Sequence, residues 1–399
     1  MPMSESFERR VRAHLESLRD SNLLRQLRGP DGVDLASNDY LGLAAHPLVL
    51  ERLADAIRVE GCGSTGSRLL RGDRSCFASI ERRFAAFKGT DRSLYFSSGY
   101  LANLAVLSTL PEAGDVILSD ERNHASLIDG IRLSRAERVV FPHADHVALA
   151  PLLDRARGAK QIFVVTESLF SMDGDVAPLL QYADMCRSAG AVLIVDEAHA
   201  VGLYGARGSG LIEASGVPGD SLVSINTAGK ALGVSGAFVA GPEWLVEYLV
   251  QKARPFIFST APPPALAAAI DASLTLVEEE PWRRAVVAER ARALRAALVE
   301  GGVAVPSGIS QIIPVVLGHN DRAVDAAAIL QARGFDVRAI RPPSVAPGTA
   351  RLRVSLNASL SEDILERFVN TVTRVMARVV PSSEPPSPAA VEVGLQARR

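Results

Sequence analysis

Between residues 192 and 236 the chain carries the pattern that most restricts its fold. A run of apolar residues leads straight into an acid, Ala191-Val192-Leu193-Ile194-Val195-Asp196, and is followed by Glu197-Ala198-His199. An uninterrupted apolar run of this length suits a parallel strand covered on both faces. A second short strand, Leu222-Val223-Ser224-Ile225, leads to Asn226-Thr227-Ala228-Gly229-Lys230-Ala231. In open α/β sheets ligands bind at the carboxyl ends of the strands, which puts Asp196, His199 and Lys230 at one cleft. Small residues around Lys230 (Ala228, Gly229, Ala231, Gly233) let a flat ligand come close and leave the amine partly desolvated. Desolvation favours the neutral, nucleophilic amine. A single lysine is ordinarily a solvated surface charge, and an aspartate at a strand end is ordinarily a cap or turn residue. The two together on adjacent strand ends match the needs of one cofactor. Pyridoxal phosphate (PLP) takes a lysine for its aldehyde and a carboxylate for its ring nitrogen.

The rest of the chain supports an α/β fold. Its 399 residues are enough for two or three domains. A helix is expected over residues 5–20, a short strand at 32–36 and a helix from Pro47 to Gly61. Gly61-Cys62-Gly63-Ser64-Thr65-Gly66 is literally a G-x-G-x-x-G. It follows an amphipathic helix (Leu50, Leu53, Ala54, Ile57) rather than a buried strand, so the dinucleotide reading is rejected. These glycines instead suit a loop against a ligand or a neighbouring subunit. From residue 75 onward helix and strand alternate. Strands are expected at 93–96, 115–119, 137–141, 161–166 and 191–196, with helices between them, which predicts a mostly parallel, doubly wound sheet. Ser97-Ser98-Gly99-Tyr100 turns into a helix and offers free N–H groups to a phosphate. Asn123-His124-Ala125-Ser126 opens another helix, and residues 168–175 form a loop beyond a strand's carboxyl end. After a small-residue strand at 235–240 and helices at 242–253, 263–280 and 282–300 comes a smaller α+β domain. Its strands are expected at 312–317, 336–340 and 351–356, and its helices at 321–333 and 361–378. The expected divisions are an N-terminal arm over 1–45, a large domain over 46–285, a small domain over 286–380 and a disordered Pro/Ser-rich tail over 381–399.

Charge and composition exclude several classes. The formal charge is −2 with Lys and Arg dispersed, so nothing points to nucleic acid. No apolar run is long enough to cross a bilayer and no signal peptide is evident. The three cysteines, Cys62, Cys76 and Cys186, lack C-x-x-C spacing, which argues against zinc or a disulfide framework and for a cytoplasmic setting.

Several motifs carry a family resemblance. Thr227-Ala228-Gly229-Lys230-Ala231-Leu232-Gly233 resembles the lysine signature of class II PLP-dependent aminotransferase-like enzymes. Ser37-Asn38-Asp39-Tyr40-Leu41-Gly42, Asn123-His124-Ala125-Ser126-Leu127, Phe170-Ser171-Met172-Asp173-Gly174-Asp175 and Asp196-Glu197-Ala198-His199 narrow the likeness to the α-oxoamine synthases. The likeness runs from about residue 5 to 378. It implies a fold type I PLP-dependent transferase, acting as a homodimer with shared active sites. By the resemblance Lys230 binds the cofactor's aldehyde and moves the α-proton, Asp196 pairs with the ring nitrogen, and His124 stacks on the ring. His199 and Ser171 contact its phenolic oxygen. Gly99, Tyr100 and Thr227 hold the phosphate, with Ser259 and Thr260 contributed by the partner subunit. Arg353, with Asn38, clamps the amino-acid carboxylate, and Arg25 and Ser344 match positions that contact substrate. The stretch over 339–353 is similar to the branch that joins L-alanine to a pimeloyl thioester, carried on coenzyme A or on acyl carrier protein. Sister branches of the same mechanism join glycine to acetyl or succinyl groups, or serine to longer acyl chains. A lysine-less scaffold subunit also occurs in the family; Lys230, Asp196 and His199 argue against that role here. The loop 67–73 varies among the family's substrate specialists.

Overall fold

A computed structural model describes residues 4–379. The Pro/Ser-rich segment 381–399, expected to be disordered, lies outside the described residues. Two compact units emerge. The larger comprises residues 38–171 and 175–286, and the smaller comprises residues up to 37, residues 172–174 and residues from 287 onward. In chain order the strands are β1 (Val33–Asp34), β2 (Arg92–Phe96), β3 (Val116–Asp120), β4 (Glu137–Phe141), β5 (Ile162–Glu167), β6 (Val192–Asp196), β7 (Val223–Thr227), β8 (Ala237–Gly241), β9 (Ile312–Gly318), β10 (Phe335–Asp336), β11 (Arg338–Ile340) and β12 (Ala350–Ser355).

The larger unit is built on a seven-stranded sheet in the order β2-β8-β7-β6-β5-β3-β4. Every neighbouring pair is parallel except those made by β8, which runs antiparallel to both β2 and β7. The fold is therefore α/β with a mostly parallel sheet, as the alternating pattern predicts. Successive side chains of a strand point to opposite faces. Ile194 packs into a cluster with Ala102, Val106, Leu127 and Ile131 from the helices Gly99–Leu107 and Ala125–Leu133, while Leu193 and Val195, equally buried, face the other way. That two-sided burial is why β6 contains no polar residue before Asp196.

Helix boundaries follow the local chemistry. Pro47 is the first residue of the helix Pro47–Glu60, where its missing N–H costs nothing, and Gly61 ends it at φ +79°. The G-x-G-x-x-G segment then forms a loop. Ser64 donates to the Pro262 carbonyl at 2.6 Å and Ala261 N–H donates to the Gly66 carbonyl at 2.9 Å, so the loop is tied to the segment just after Thr260.

The smaller unit holds a three-stranded antiparallel sheet, β11-β12-β9, and a parallel pair, β1-β10. The single strand expected over 336–340 is corrected here to two. The chain bends at Val337, whose N–H turns back to the Phe335 carbonyl at 3.2 Å. The bend puts both Phe335 and Val337 in the unit's core and lets the chain pass from one sheet to the other. That core also gathers Leu294, Leu298, Ile313, Leu330, Leu352 and Phe368.

Candidate active site

The carboxyl ends of the larger unit's strands gather most of the candidate side chains. Glu167, Asp196 and Thr227 end three adjacent parallel strands, with Glu167 paired in register to Asp196. Ala237, the first residue of β8, pairs with both Phe96 and Thr227, so the antiparallel strand brings the carboxyl end of β2 to the same edge. There Ser98 caps the next helix by accepting from Leu101 N–H at 3.3 Å, which leaves the Gly99 and Tyr100 N–H groups at its first turn. A Cβ placed on Gly99 would lie 3.6 Å from Thr227 Cβ. One short region therefore combines a helix N-terminus with a threonine hydroxyl, the donor set that suits a phosphate.

Asp196 is buried and held by neutral donors. One oxygen accepts from Asn103 Nδ2 and the other from Ala198 N–H, each at 2.8 Å. Asn103 Nδ2 also donates to Ser126 Oγ at 2.8 Å, and Ser126 Oγ lies 2.7 Å from His124 Nδ1. His124 is the N-cap of the helix Ala125–Leu133. Burial, with a smaller effect from Lys230, pushes its imidazole below the usual histidine range despite the opposing charges of Asp196 and Asp129. It is thus an uncharged ring, suited to stacking on a flat heterocycle.

Lys230 sits in a tight turn. Gly233 N–H donates to the Lys230 carbonyl and Ala228 N–H donates to the Gly236 carbonyl, both at 2.8 Å. Gly233 has φ +66°, and a Cβ there would meet Ala44 N at 2.4 Å, so the turn admits no side chain at that position. The lysine is half-buried, and its Nζ lies 2.7 Å from His199 Nε2. His199 Nδ1 lies 2.7 Å from the Tyr40 hydroxyl, which donates to Asn38 Oδ1 at 2.9 Å. Lys230, His199 and Asn38 thus share one hydrogen-bonded chain, and Asp196 and His124 share a second.

Ser171 lies in the loop after β5, whose two sides meet at the Leu169–Val176 bridge. Ser259 and Thr260 follow the short helix Arg254–Ile257, Ser259 half-buried and Thr260 exposed. In the smaller unit, Arg25 donates to the Pro342 carbonyl at 3.3 Å, beside the turn where Ser344 N–H donates to the Arg341 carbonyl at 3.1 Å. Arg353 is buried on β12 and donates to Ser355 Oγ at 2.7 Å.

Several contributors carry no signal that sequence reasoning used. Asn103 is the one amide in the apolar helix Gly99–Leu107. Tyr40 sits within a motif that stood out only as a whole. Glu167 is fully buried, and burial together with the Asp196 charge raises its carboxyl well above the usual carboxylate range. Its environment therefore favours the neutral acid beside Asp196. His143 bridges Asp120 Oδ1 at 2.9 Å and Asp175, tying the end of β3 to the loop that carries Ser171.

These residues fit PLP: an amine in a glycine-rich turn, a buried carboxylate held only by neutral donors, an uncharged imidazole and a phosphate cradle. Comparison with known proteins agrees. The family "Aminotransferase class I and II" matches residues 30–372. The 8-amino-7-oxononanoate synthase of Anaeromyxobacter dehalogenans is 48% identical over 358 residues, covering 90% of this chain and 89% of that one. Serine palmitoyltransferase from S. paucimobilis, solved with PLP and myriocin bound, superposes with a TM-score of 0.87 at 28% identity, covering 95% of this chain and 99% of its own. The 8-amino-7-oxononanoate synthase from Francisella tularensis gives a TM-score of 0.75 at 30% identity, covering 86% of this chain and 97% of that one. The chain belongs to the class I and II aminotransferase family of PLP-dependent enzymes with the type I fold, in the α-oxoamine synthase group that includes the 8-amino-7-oxononanoate synthases.

Proposed function

We propose that this enzyme is an 8-amino-7-oxononanoate synthase of biotin biosynthesis. It joins L-alanine to a pimeloyl thioester and releases CO2 and the free thiol. The observation that carries the reading is 48% identity over 90% of this chain to an enzyme of that name.

The cofactor, when bound, supplies an electron sink for the carbanion formed at the amino acid's α-carbon. The chain's own residues do the rest. Lys230 would hold the aldehyde and move the α-proton. Asp196 would keep the ring nitrogen protonated through a charge-assisted hydrogen bond worth about 1.5–3 kcal/mol. His124 would cover the ring face, while His199 and Ser171 would contact the phenolic oxygen. Gly99 and Tyr100 N–H groups and Thr227 would take the phosphate. In this reading the enzyme is a cytoplasmic homodimer, and Ser259 and Thr260 complete the phosphate site of the partner subunit. Arg353 binds the amino-acid carboxylate with Asn38, since a guanidinium meets a carboxylate with two parallel hydrogen bonds. Arg25 and Ser344 would contact substrate.

The good superposition on serine palmitoyltransferase favours a second reading, a sister acyltransferase with another amino acid or acyl group. Turnover with alanine, glycine and serine against pimeloyl, acetyl, succinyl and palmitoyl thioesters decides between them, each thioester offered on coenzyme A and on acyl carrier protein. Alanine with the pimeloyl thioester is expected to win. One methyl group in an apolar pocket is worth only about 1–3 kcal/mol, so the advantage over glycine should be roughly 10- to 200-fold at most. A tenfold advantage for any other pairing replaces this assignment with the sister activity.

A further inference from the structure

Asn103 lies in an otherwise apolar stretch of the helix Gly99–Leu107 and is 2% exposed. Its Nδ2 gives one proton to an Asp196 carboxylate oxygen and the other to Ser126 Oγ, each at 2.8 Å. Its Oδ1 has no hydrogen-bond partner among the described residues. A buried polar atom without a partner is costly, so the two donors must account for an amide at this place. Turning the amide over would set its oxygen against the Asp196 carboxylate and give up that bond. The neighbouring helix comes close because Gly130 has no side chain. A Cβ there would lie 2.9 Å from Leu107 Cβ and 3.1 Å from the Asn103 carbonyl oxygen. Ser126 stands four residues before Gly130, on the same face of that helix.

The proton on His124 follows from these bonds. Ser126 Oγ accepts from Asn103, which leaves its own proton to point to His124 Nδ1 at 2.7 Å. The Ser126 backbone N–H donates to the same nitrogen at 3.3 Å. A backbone N–H can only donate, so Nδ1 presents a lone pair. A neutral imidazole with a bare Nδ1 holds its proton on Nε2, an assignment made from the network as such protons are. Burial pushes this imidazole below the usual histidine range, in keeping with a neutral ring.

We infer that Asn103 is a positioning residue that holds the Asp196 carboxylate and, through the Ser126 hydroxyl, fixes His124 as the tautomer protonated at Nε2. One amide thus orients both the acid meant for a ring nitrogen and the imidazole meant for a ring face. It does so from the helix whose first turn offers the phosphate donors. The other tautomer would set an Nδ1–H against the Ser126 N–H. That Asp196 and His124 face the cofactor rests on the function proposed above; the bonds of Asn103 and the proton on His124 do not.

The test uses the full-length protein, cofactor-free and PLP-loaded, with ¹⁵N-labelled histidine and asparagine. In the cofactor-free wild type, long-range proton–nitrogen correlation spectra should show His124 protonated at Nε2 and bare at Nδ1. Both Asn103 side-chain amide protons should exchange slowly with solvent. Ser126→Ala should shift the tautomer ratio roughly 2- to 12-fold toward Nδ1–H, the equivalent of one hydrogen bond of about 0.5–1.5 kcal/mol. Ser126→Thr keeps the hydroxyl and should leave the ratio unchanged. Asn103→Ala, which suits a helix interior, frees the Ser126 hydroxyl to accept from Nδ1 and should shift the ratio the same way. It should also weaken PLP retention, which Ser126→Ala should affect less. A wild-type His124 protonated at Nδ1, a ratio that Ser126→Ala does not move, or an Asn103 amide exchanging at the solvent rate overturns the inference, whether or not Asn103→Ala folds. So does a folded Asn103→Ala protein in which neither the ratio nor PLP retention moves. Near-normal turnover of Asp196→Asn would instead overturn the role proposed for Asp196 and leave the tautomer result standing.

Discussion

His143 offers a stability prediction whose size and pH window can be worked from the structure. Its ring is buried between Asp120 and Asp175, and Phe170 packs edge-on against it at 4.3 Å. Burial alone would lower its pKa, but the hydrogen bonds and charges of the two aspartates raise it from 6.5 to about 9. At about 1.4 kcal/mol per tenfold change in proton affinity, that rise corresponds to about 3 kcal/mol of folding free energy. Because the folded-state value lies above the unfolded one, this contribution is fully present below pH 6.5. It falls to about 2 kcal/mol near pH 7.5 and is lost as pH rises through 9. Burial and the Asp120 and Asp145 charges move the nearby Tyr182 hydroxyl above that window. The assay is the urea midpoint of wild type and His143→Gln from pH 6 to 10, with the His143 imidazole titrated by NMR. The wild type should lead by about 3 kcal/mol at pH 6, and the lead should shrink toward pH 9 to 10. A difference that stays constant across the window, or an imidazole that titrates near 6.5, refutes the reasoning.

Three further outcomes are expected. Glu167→Gln should keep turnover within about fivefold, since glutamine reproduces the shape of a protonated acid, whereas Asp196→Asn, measured beside it, should lose turnover by orders of magnitude while retaining PLP more nearly. Lys88→Met leaves the fully buried Glu197 without its cation and should cost about 3–5 kcal/mol in denaturation experiments. Much of that loss should return in the Lys88→Met/Glu197→Gln double variant, which no longer buries a lone charge. Gly233→Ala forces a Cβ against Ala44 at a positive φ, so it should lower the thermal midpoint and weaken PLP retention together, as read from melting curves and cofactor absorbance.

Much of this architecture is legible locally. An apolar run ending in Asp196 fixes a covered parallel strand, and small residues on both sides of Lys230 fix an approachable turn. Pro47 and Gly61 mark the two ends of one helix because each has a backbone property that other residues lack. What the sequence hides is pairing over distance. Asn103 meets Asp196 across 93 positions, and Tyr40 meets His199 across 159. Nothing in the period of either segment encodes those contacts, since both depend on which strand ends become neighbours. The antiparallel course of β8 is hidden for the same reason. The split at Val337 is hidden because apolar alternation reads alike in one strand or in two that belong to different sheets.

The electrostatics of the strand ends explain why the chemistry gathers there. A parallel sheet delivers its last side chains to one edge, and here two adjacent strands deliver carboxyls in register, Glu167 and Asp196. Two buried like charges in contact are costly, so the pair divides its roles. Burial and the Asp196 charge raise the Glu167 carboxyl well above the usual carboxylate range, toward the neutral acid. Asp196 accepts two hydrogen bonds from neutral donors. In the function proposed above, its partner charge would be a ligand cation rather than a fixed arginine. A permanent cation beside Asp196 would take up the charge that a protonated ring nitrogen requires. The buried positive charge in this part of the molecule is placed elsewhere, at His143 and at Lys88, each already paired with its own carboxylates. Separating paired from unpaired carboxylates leaves Asp196 as the place where a cationic heterocycle gains most by binding.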